Sequence, residues 1–431
     1  MTARPDHIIS RANISDSALK VLYRLRDAGY QAHLVGGGVR DLLLGREPKD
    51  FDVATDATPE QVRGVFRNCR LIGRRFRLAH IHFGREIIEV ATFRSMRDPA
   101  DEGDRELDNG MLVRDNVYGT IEEDALRRDF TVNALYYNIA DFSVIDYAGG
   151  MQDLQAGVLR LLGDPETRYR EDPVRMLRAV RFAAKLGFVI NPACERPIFE
   201  LGALLQGVPA ARLFEEVLKL FMGGMALETF EKLRHYDLFG ELFPETEESL
   251  SHEEHDFPIT FVNRGMANTD LRIREGKPVT PAFLFAVLLW EPVRRFSDEL
   301  LGAGQSPLAA MQEAGSEMVY RQSRHISIPK RFSLPMREIW SLQHRFLHRS
   351  GKRPHRLLTH PRFRAAYDFL LLRAEAGEID PELAQWWTRF QEVNGEERDH
   401  MAKQGEGGTE GKRRRRRRRR RKPSGQPPHG E

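Results

Sequence analysis

At 431 residues the chain is long enough for two to four domains, and its 41% hydrophobic and 30% charged residues are those of an ordinary soluble protein. Only Cys69 and Cys194 occur, so a disulfide framework is excluded and a reducing cytoplasmic setting is expected; no run of 18 apolar residues and no secretory apolar stretch is present, so no membrane span is expected. The net charge of +3 hides an asymmetry: Lys412, the nine arginines Arg413–Arg421 and Lys422 carry +11, which leaves −8 for the remainder (+3 less 11).

In chain order, residues 1–15 show no periodicity and are expected to be disordered. Ser17–Ala28 reads as an amphipathic helix, with Ala18, Val21, Leu22 and Leu25 on one face. Strand, glycine turn, short helix and strand follow at Gln31–Val35, Gly36–Gly38, Val39–Leu44 and Phe51–Ala54. Thr58-Pro59-Glu60 is an N-cap with proline at the first helical position, opening a helix to about Phe66. Cys69–Ile72, Leu78–Phe83 and Ile87–Phe93 read as strands, Ser95–Val117 as a loop, Glu122–Tyr137 as a helix and Val144–Tyr147 as a last strand. From Glu171 the pattern is helix after helix, to Glu392, and the chain beyond about Gly395 reads as disordered. The expected fold is therefore a mixed α/β head followed by an all-helical neck and body, with a basic tail. The expected boundaries are 1–15, head 16–155, neck 156–240, body 241–395 and tail 396–431.

Asp50 and Asp52 carry the most chemistry. In a strand they share a face, where two carboxylates repel unless a cation neutralises them. Magnesium prefers oxygen ligands and shares them with substrate phosphates. A glycine turn running into a helix start, Gly36, Gly37 and Gly38 followed by Arg40, offers backbone N–H groups to a phosphate. Together these point to nucleotidyl transfer, although an isolated D-x-D is most often surface charge. Glu89, in the strand EIIEVATFR, and Asp129, in RRDFTVNALYYN, are rivals for a third metal-side carboxylate. Arg128 and Asn133 read either as phosphate and ribose contacts or as parts of a helix N-terminus. In EDPVRMLRAVRF, Asp172, Arg175, Arg178 and Arg181 recur along one helix side. They form either a surface ion-pair ladder or a protein template, in which a carboxylate accepts from adenine N6 and a guanidinium donates to N1. Cytosine offers the same polarity, so that pair alone does not separate ATP from CTP. Arg74 and Arg75, within an arginine cluster, and Arg413, Arg417 and Arg421 of the tail are candidate RNA contacts through phosphate neutralisation; a solvated strand edge and a solubility arm are the plainer alternatives. His252-Glu253-Glu254-His255 has the wrong spacing for a zinc motif.

LVGGGVRD…DFD, EVATFR, RRDFTVNALYYN, Asp146–Leu154 (D-Y-x-G-G-M-x-D-L) and EDPVRMLRAVRFAAKLGF occur in this order over residues 30–240. They resemble the class II nucleotidyltransferases, which include bacterial CCA-adding enzymes and poly(A) polymerases within the DNA polymerase beta superfamily. Gly73–Gly84, ARLFEEVLKLF, Ile328–Arg331, Arg362–Asp368 and the arginine-rich end resemble the poly(A) polymerase branch, which extends the likeness over nearly the whole chain. The resemblance implies template-free addition of AMP from ATP to RNA 3′ ends with two Mg²⁺ ions on Asp50 and Asp52, and Asp129 among the catalytic group. It implies RNA 3′ ends as partner, RNA-decay or RNA-chaperone proteins as further candidates, and a monomer. A CCA-adding enzyme is the alternative of the same chemistry; a non-catalytic RNA-binding protein is the alternative of another class.

Overall fold

The computed structural model describes residues 1–73, 77–95, 105–108, 111–115, 117–251 and 259–404. The expected RNA contacts Arg74, Arg75, Arg413, Arg417 and Arg421 lie outside them.

The head is built on a seven-stranded sheet of order β3-β4-β5-β2-β1-β8-β9, where β1 is Ala32–Val35, β2 Asp52–Thr55, β3 Cys69–Ile72, β4 Leu78–Phe83 and β5 Glu86–Thr92. Arg105–Asp108 (β6) and Met111–Asp115 (β7) form a separate antiparallel pair, and Leu135–Asn138 (β8) and Val144–Asp146 (β9) complete the sheet. β2 pairs parallel to β5 and antiparallel to β1, so the sheet is mixed as expected. β1 is buried along its whole length. Asp16–Asp27 (α1) lays Ala18, Val21, Leu22 and Leu25, all fully buried, against β1, β2 and β5. Val35, Ala54, Phe93 and Tyr136 pack instead with Ala125 of Ile121–Leu126 (α4). Between these come Gly37–Leu43 (α2) and Pro59–Val65 (α3), the latter opened by a full capping box of Thr58 and Gln61.

Four expectations are corrected. The N-terminus is anchored rather than disordered: Thr2 bridges Val144, and Ile9 and Ile14 are buried. Two apolar side chains suffice to dock a short segment that has no periodicity of its own. The expected helix over 122–137 stops at Leu126, and Leu135–Asn138 is a strand between β1 and β9. Leu135, Tyr136 and Tyr137 are all fully buried, so both strand faces are covered and the alternation that marks a half-exposed strand is missing. The expected loop at 95–117 contains β6 and β7; Asn109-Gly110 between them is a hairpin signal in the sequence. The stretch after Gly395 begins as a helix, Gly395–Gln404, in which Ala402 is buried.

After the head come Gly150–Ala156 (α5), Pro165–Glu171 (α6), Val174–Leu186 (α7), Pro192–Leu201 (α8), Ala210–Phe221 (α9) and Ala226–His235 (α10). A two-residue parallel pair, Val158–Leu159 with Val189–Ile190, ties the segment after α5 to the end of α7. Leu238–Leu242 (α11), Pro244–Ser251 (α12), Ile259–Arg274 (α13), Pro281–Leu288 (α14), Trp290–Gly302 (α15), Pro307–Gln322 (α16) and Lys330–Phe346 (α17) continue the helical part. The chain forms two compact units, Met1–Trp340 and Ser341–Glu431. The second has its own core of Phe346, Phe363, Tyr367, Trp387 and Phe390, with Trp387 Nε1 donating to the Phe346 carbonyl at 2.9 Å.

One core group makes the fold sensitive to acid. His33 on β1 forms an aromatic triangle with Phe93 and Tyr136, whose rings lie 6.1 and 6.3 Å from its own. Burial pushes its pKa down to about 4, only partly opposed by Asp141. The unfolded chain takes up this proton near the ordinary value and the folded chain only near 4. The stability of the neutral form is therefore complete above the ordinary value and is lost as pH falls through about 4. His33→Leu is expected to flatten the fall in urea midpoint over that window by the equivalent of up to about 3 kcal/mol; an unchanged pH profile would contradict it.

Candidate active site

Asp52 opens β2, and strand register fixes its neighbours. Val35 on β1, Asp52 on β2, Glu89 on β5 and His80 on β4 are register partners in succession. Registered side chains share a sheet face, so Asp52, Glu89 and His80 form a row. His80 Nε2 meets Glu89 Oε2 at 3.2 Å. Asp50 lies two residues ahead of the strand rather than within it. Its carbonyl comes within 3.4 Å of where a side chain at Gly38 would begin, so the glycine turn packs directly on this aspartate's backbone. Burial, then the charge of Glu89 and more weakly that of Asp50, raises the Asp52 pKa to about 6, against the opposing pull of Arg128 and His80. Two carboxylates thus act on the charge of a third. Among the described residues no three His, Cys, Asp or Glu side chains close into a ready metal cage. An open carboxylate group fits magnesium, which takes one or two protein carboxylates and completes its shell with water and substrate phosphates.

Beside the row runs a cationic network. Gly36 has φ +75°, a conformation that favours glycine, and a side chain there would meet Arg128 Nη1 at 3.6 Å. Arg128 itself is fixed by Asp124 at 2.9 Å and by the Tyr136 hydroxyl at 2.9 Å. Burial works against its charge, but Tyr136 and Asp124 outweigh burial and hold its pKa above the ordinary value. Arg40, 2% exposed, donates to Asp41 at 2.6 Å and to Asn133 Oδ1 at 2.6 Å. Asn133 donates to Asp129 at 3.2 Å, and Asp129 also accepts from the Phe130 N–H and from both Nε and Nη2 of Arg178. One continuous chain of bonds therefore links α2, the Asp129–Asn133 turn and α7. Burial alone would raise the Asp129 pKa; Arg178, Asn133 and the Phe130 N–H overcome it and hold it at about 2.

Arg40, Arg178 and Arg181 converge on one ring: their guanidinium carbons lie 5.2, 5.4 and 4.4 Å from the Phe182 centroid. Burial and the neighbouring Arg178 lower the Arg181 pKa to about 10, and its Nε has no hydrogen-bond partner among the described residues. A half-buried guanidinium whose buried Nε lacks a partner, beside two others, is an anion site in charge and geometry.

Other sequence candidates are placed differently. Asp172 accepts from Arg212 of α9 at 2.8 Å, while Arg175 donates to Glu171 at 3.0 Å and to the Arg168 carbonyl at 2.6 Å. Asp129 is engaged on both oxygens with Arg178, Asn133 and Phe130, and is not among the charges that act on Asp52. The D-Y-x-G-G-M-x-D-L stretch is a clamp on the Asp129–Asn133 turn. Asp146 accepts the Ala148, Gly150 and Met151 N–H groups, Asp153 accepts the Thr131 hydroxyl at 2.7 Å, and a Cβ at Gly150 would lie 2.2 Å from the Thr131 carbonyl oxygen. Sequence reasoning missed His80, Asp124, Tyr136 and Arg212. The alternation of His80-Ile81-His82 and the four-residue spacing of Asp124 and Arg128 were available signals; the Arg212–Asp172 contact, 40 residues apart, left none.

A mixed-sheet head with acidic groups at β2 and β5, flanked by a guanidinium-lined turn and continued by helices, is the architecture of a class II nucleotidyltransferase. A solved tRNA-processing enzyme shares it, with TM-score 0.63 and 24% identity over 92% of this chain and 100% of that one. The family models for the poly A polymerase head domain, the probable RNA and SrmB-binding site of polymerase A and the polymerase A arginine-rich C-terminus match residues 32–160, 187–250 and 303–422. The Poly(A) polymerase I of Salmonella typhi is 55% identical over 90% of this chain and 85% of its own. A CCA-adding enzyme of Bacillus subtilis reaches 38% over 56% of this chain and 59% of its own. The chain belongs to the poly(A) polymerase I family.

Proposed function

We propose that this chain is a template-independent polynucleotide adenylyltransferase that adds AMP from ATP to RNA 3′ ends. The observation that carries the chemistry is the row Asp52, Glu89, His80 with Asp50 at its edge and the Arg128 charge acting on Asp52. The family membership and the match over both the head and the arginine-rich segment favour poly(A) addition over CCA addition. Asp50 and Asp52 hold magnesium, and Glu89 is favoured over Asp129 as the third carboxylate because it is the registered neighbour of Asp52. Magnesium held there would supply Lewis-acid stabilisation of the RNA 3′ oxygen and of the pyrophosphate charge. The Gly36–Gly38 turn, Arg40, Arg128, Asn133, Arg178 and Arg181 receive the triphosphate and ribose. Asp129 keeps Arg178 and Asn133 in place for that task. Asp172, braced by Arg212, and Arg175 read the base edge. The tail arginines, Arg413, Arg417 and Arg421 among them, with Arg74 and Arg75, hold RNA phosphates. The test is competition among the four nucleoside triphosphates on an unstructured RNA primer with Mg²⁺. AMP is expected to dominate the product, and equal use of CMP would contradict the assignment.

His80 supports Glu89 from the far side. His80→Ala is expected to raise the Mg²⁺ concentration for half-maximal activity about tenfold, in line with other residues that orient metal ligands. His80→Gln, which retains a donor, is expected to restore most of it. A lowered rate that persists at saturating Mg²⁺ would mean that His80 serves some other end.

A further inference from the structure

The junction between α16 and α17 sets an exposed aromatic ring among exposed cations. Tyr320, in the last turn of α16, is 59% exposed, and the Arg324 guanidinium lies 5.2 Å from its ring centroid. Arg324, Lys330 and Arg331 are exposed and form no ion pair among the described residues. Arg321 is different: Glu317 and Glu245 hold it at 2.8 and 3.3 Å, so it adds little free charge. A cavity of about 360 Å³ opens beside Tyr320, lined by Glu245 and Glu317, which hold Arg321, and by Gln322, Arg324 and His325. The junction is fastened to the helix that serves the nucleotide side. The Ser327 N–H donates to the Ala210 carbonyl at 3.1 Å, and Phe332 stacks on Phe214 at 5.8 Å. Ala210 and Phe214 lie on α9, whose Arg212 holds Asp172.

We infer that Tyr320, Arg324, Lys330 and Arg331 form a track for the single-stranded RNA primer upstream of its 3′ end, with Tyr320 stacking on a base and the three cations lying along phosphates. An exposed aromatic ring, on which Arg324 packs, among cations that form no ion pair with a described residue is the combination that binds single strands without sequence preference. It suits an enzyme that extends RNA primers of any sequence, and in this the inference rests on the proposed function. A protein partner fits less well, because the strip offers Leu334 as its one large exposed aliphatic residue and carries no acidic side chain between 320 and 331.

The test uses the full chain, a fifteen-nucleotide oligo(A) and a titration of binding against salt. Arg324→Gln/Lys330→Gln/Arg331→Gln is expected to weaken binding at least tenfold at about 0.1 M salt and to lower the slope of log K against log salt by about 2, from roughly 0.7 per phosphate on a single strand. Tyr320→Ala is expected to weaken binding about tenfold, as loss of one stacked base does, while Tyr320→Trp binds like wild type. The KM for ATP and kcat at saturating primer remain unchanged in all of them, and unchanged thermal unfolding shows that the surface alone was altered. Wild-type affinity and slope in the triple variant would overturn the inference, as would a loss confined to kcat. Wild-type protein that binds RNA but adds no AMP would overturn the adenylyltransferase reading alone; capture of a protein by the strip with RNA binding unaltered would overturn the track.

Discussion

Asp50→Asn and Asp52→Asn are each expected to lower AMP incorporation by about a thousandfold or more, equivalent to about 4 kcal/mol of transition-state stabilisation. A neutral amide is a poor magnesium ligand, and the row offers no spare carboxylate in the place of either. The Asp52 variant carries a second expected result of opposite sign. In the metal-free protein, burial and the charges of Glu89 and Asp50 raise the Asp52 pKa to about 6. The folded state therefore holds this proton more tightly than the unfolded chain. Stability is lost as pH rises from the ordinary carboxylate range through about 6, and the full deficit is present at pH 7 and above. Asp52→Asn removes that deficit. Its metal-free form is expected to be more stable than wild type at pH 7.5 by on the order of 2 kcal/mol, after allowance for partial exposure, and the gap should close near pH 4. A variant that is inactive but destabilised at pH 7.5 would show that the carboxylate serves the fold rather than the reaction.

Asp129→Ala is the second large effect, and it separates two roles for one residue. The carboxylate accepts four hydrogen bonds, from Arg178, Asn133 and the Phe130 N–H, and is held at about 2 by them. Its removal leaves the Arg178 guanidinium without its anion and cuts the chain that runs through Asn133 to Arg40. The expected cost is about 3 kcal/mol of stability, with a rise in KM for ATP and little change in the Mg²⁺ requirement. Adding Arg178→Met is expected to recover most of the stability and none of the activity. Glu89→Ala, measured alongside, is expected to do the reverse: fold normally and demand much more Mg²⁺. Should Asp129→Ala instead shift the Mg²⁺ titration steeply while Glu89→Ala does not, the third carboxylate is Asp129.

The head was legible where local pattern and tertiary role coincide. The strands β1 to β5, the capping box at Thr58 and the glycine turn follow from period and turn chemistry, and the structure forms them within two residues of where the sequence puts them; of the Asp50-Phe51-Asp52 pair only Asp52 lies in the strand. The failures have a common cause. Leu135–Asn138 reads as a helix because a strand buried on both faces loses its alternation, and burial depends on β1 and β9, which no local window contains. The charges of RRDF and EDPVRMLR were legible as too dense to lack partners. Which partners they take was not: Asp129 finds Arg178 at a separation of 49 residues, and Asp172 finds Arg212 at 40. A pattern of charges on one helix fixes their common side; the opposing element decides the pairing. The same holds for His80, which gains a role only because β4 pairs with β5 in the register that sets it beside Glu89.

The account stands on untemplated addition of AMP, and the products themselves test it most directly. Wild-type protein is incubated with Mg²⁺ and ATP alone on two primers, an unstructured RNA and a tRNA ending before its terminal CCA, and the lengths are resolved on a denaturing gel. The account predicts long ladders of added adenylate on both, lost in Asp52→Asn. Failure to extend the unstructured RNA with ATP alone, with extension confined to the tRNA and ending within three nucleotides once CTP is also supplied, would contradict it.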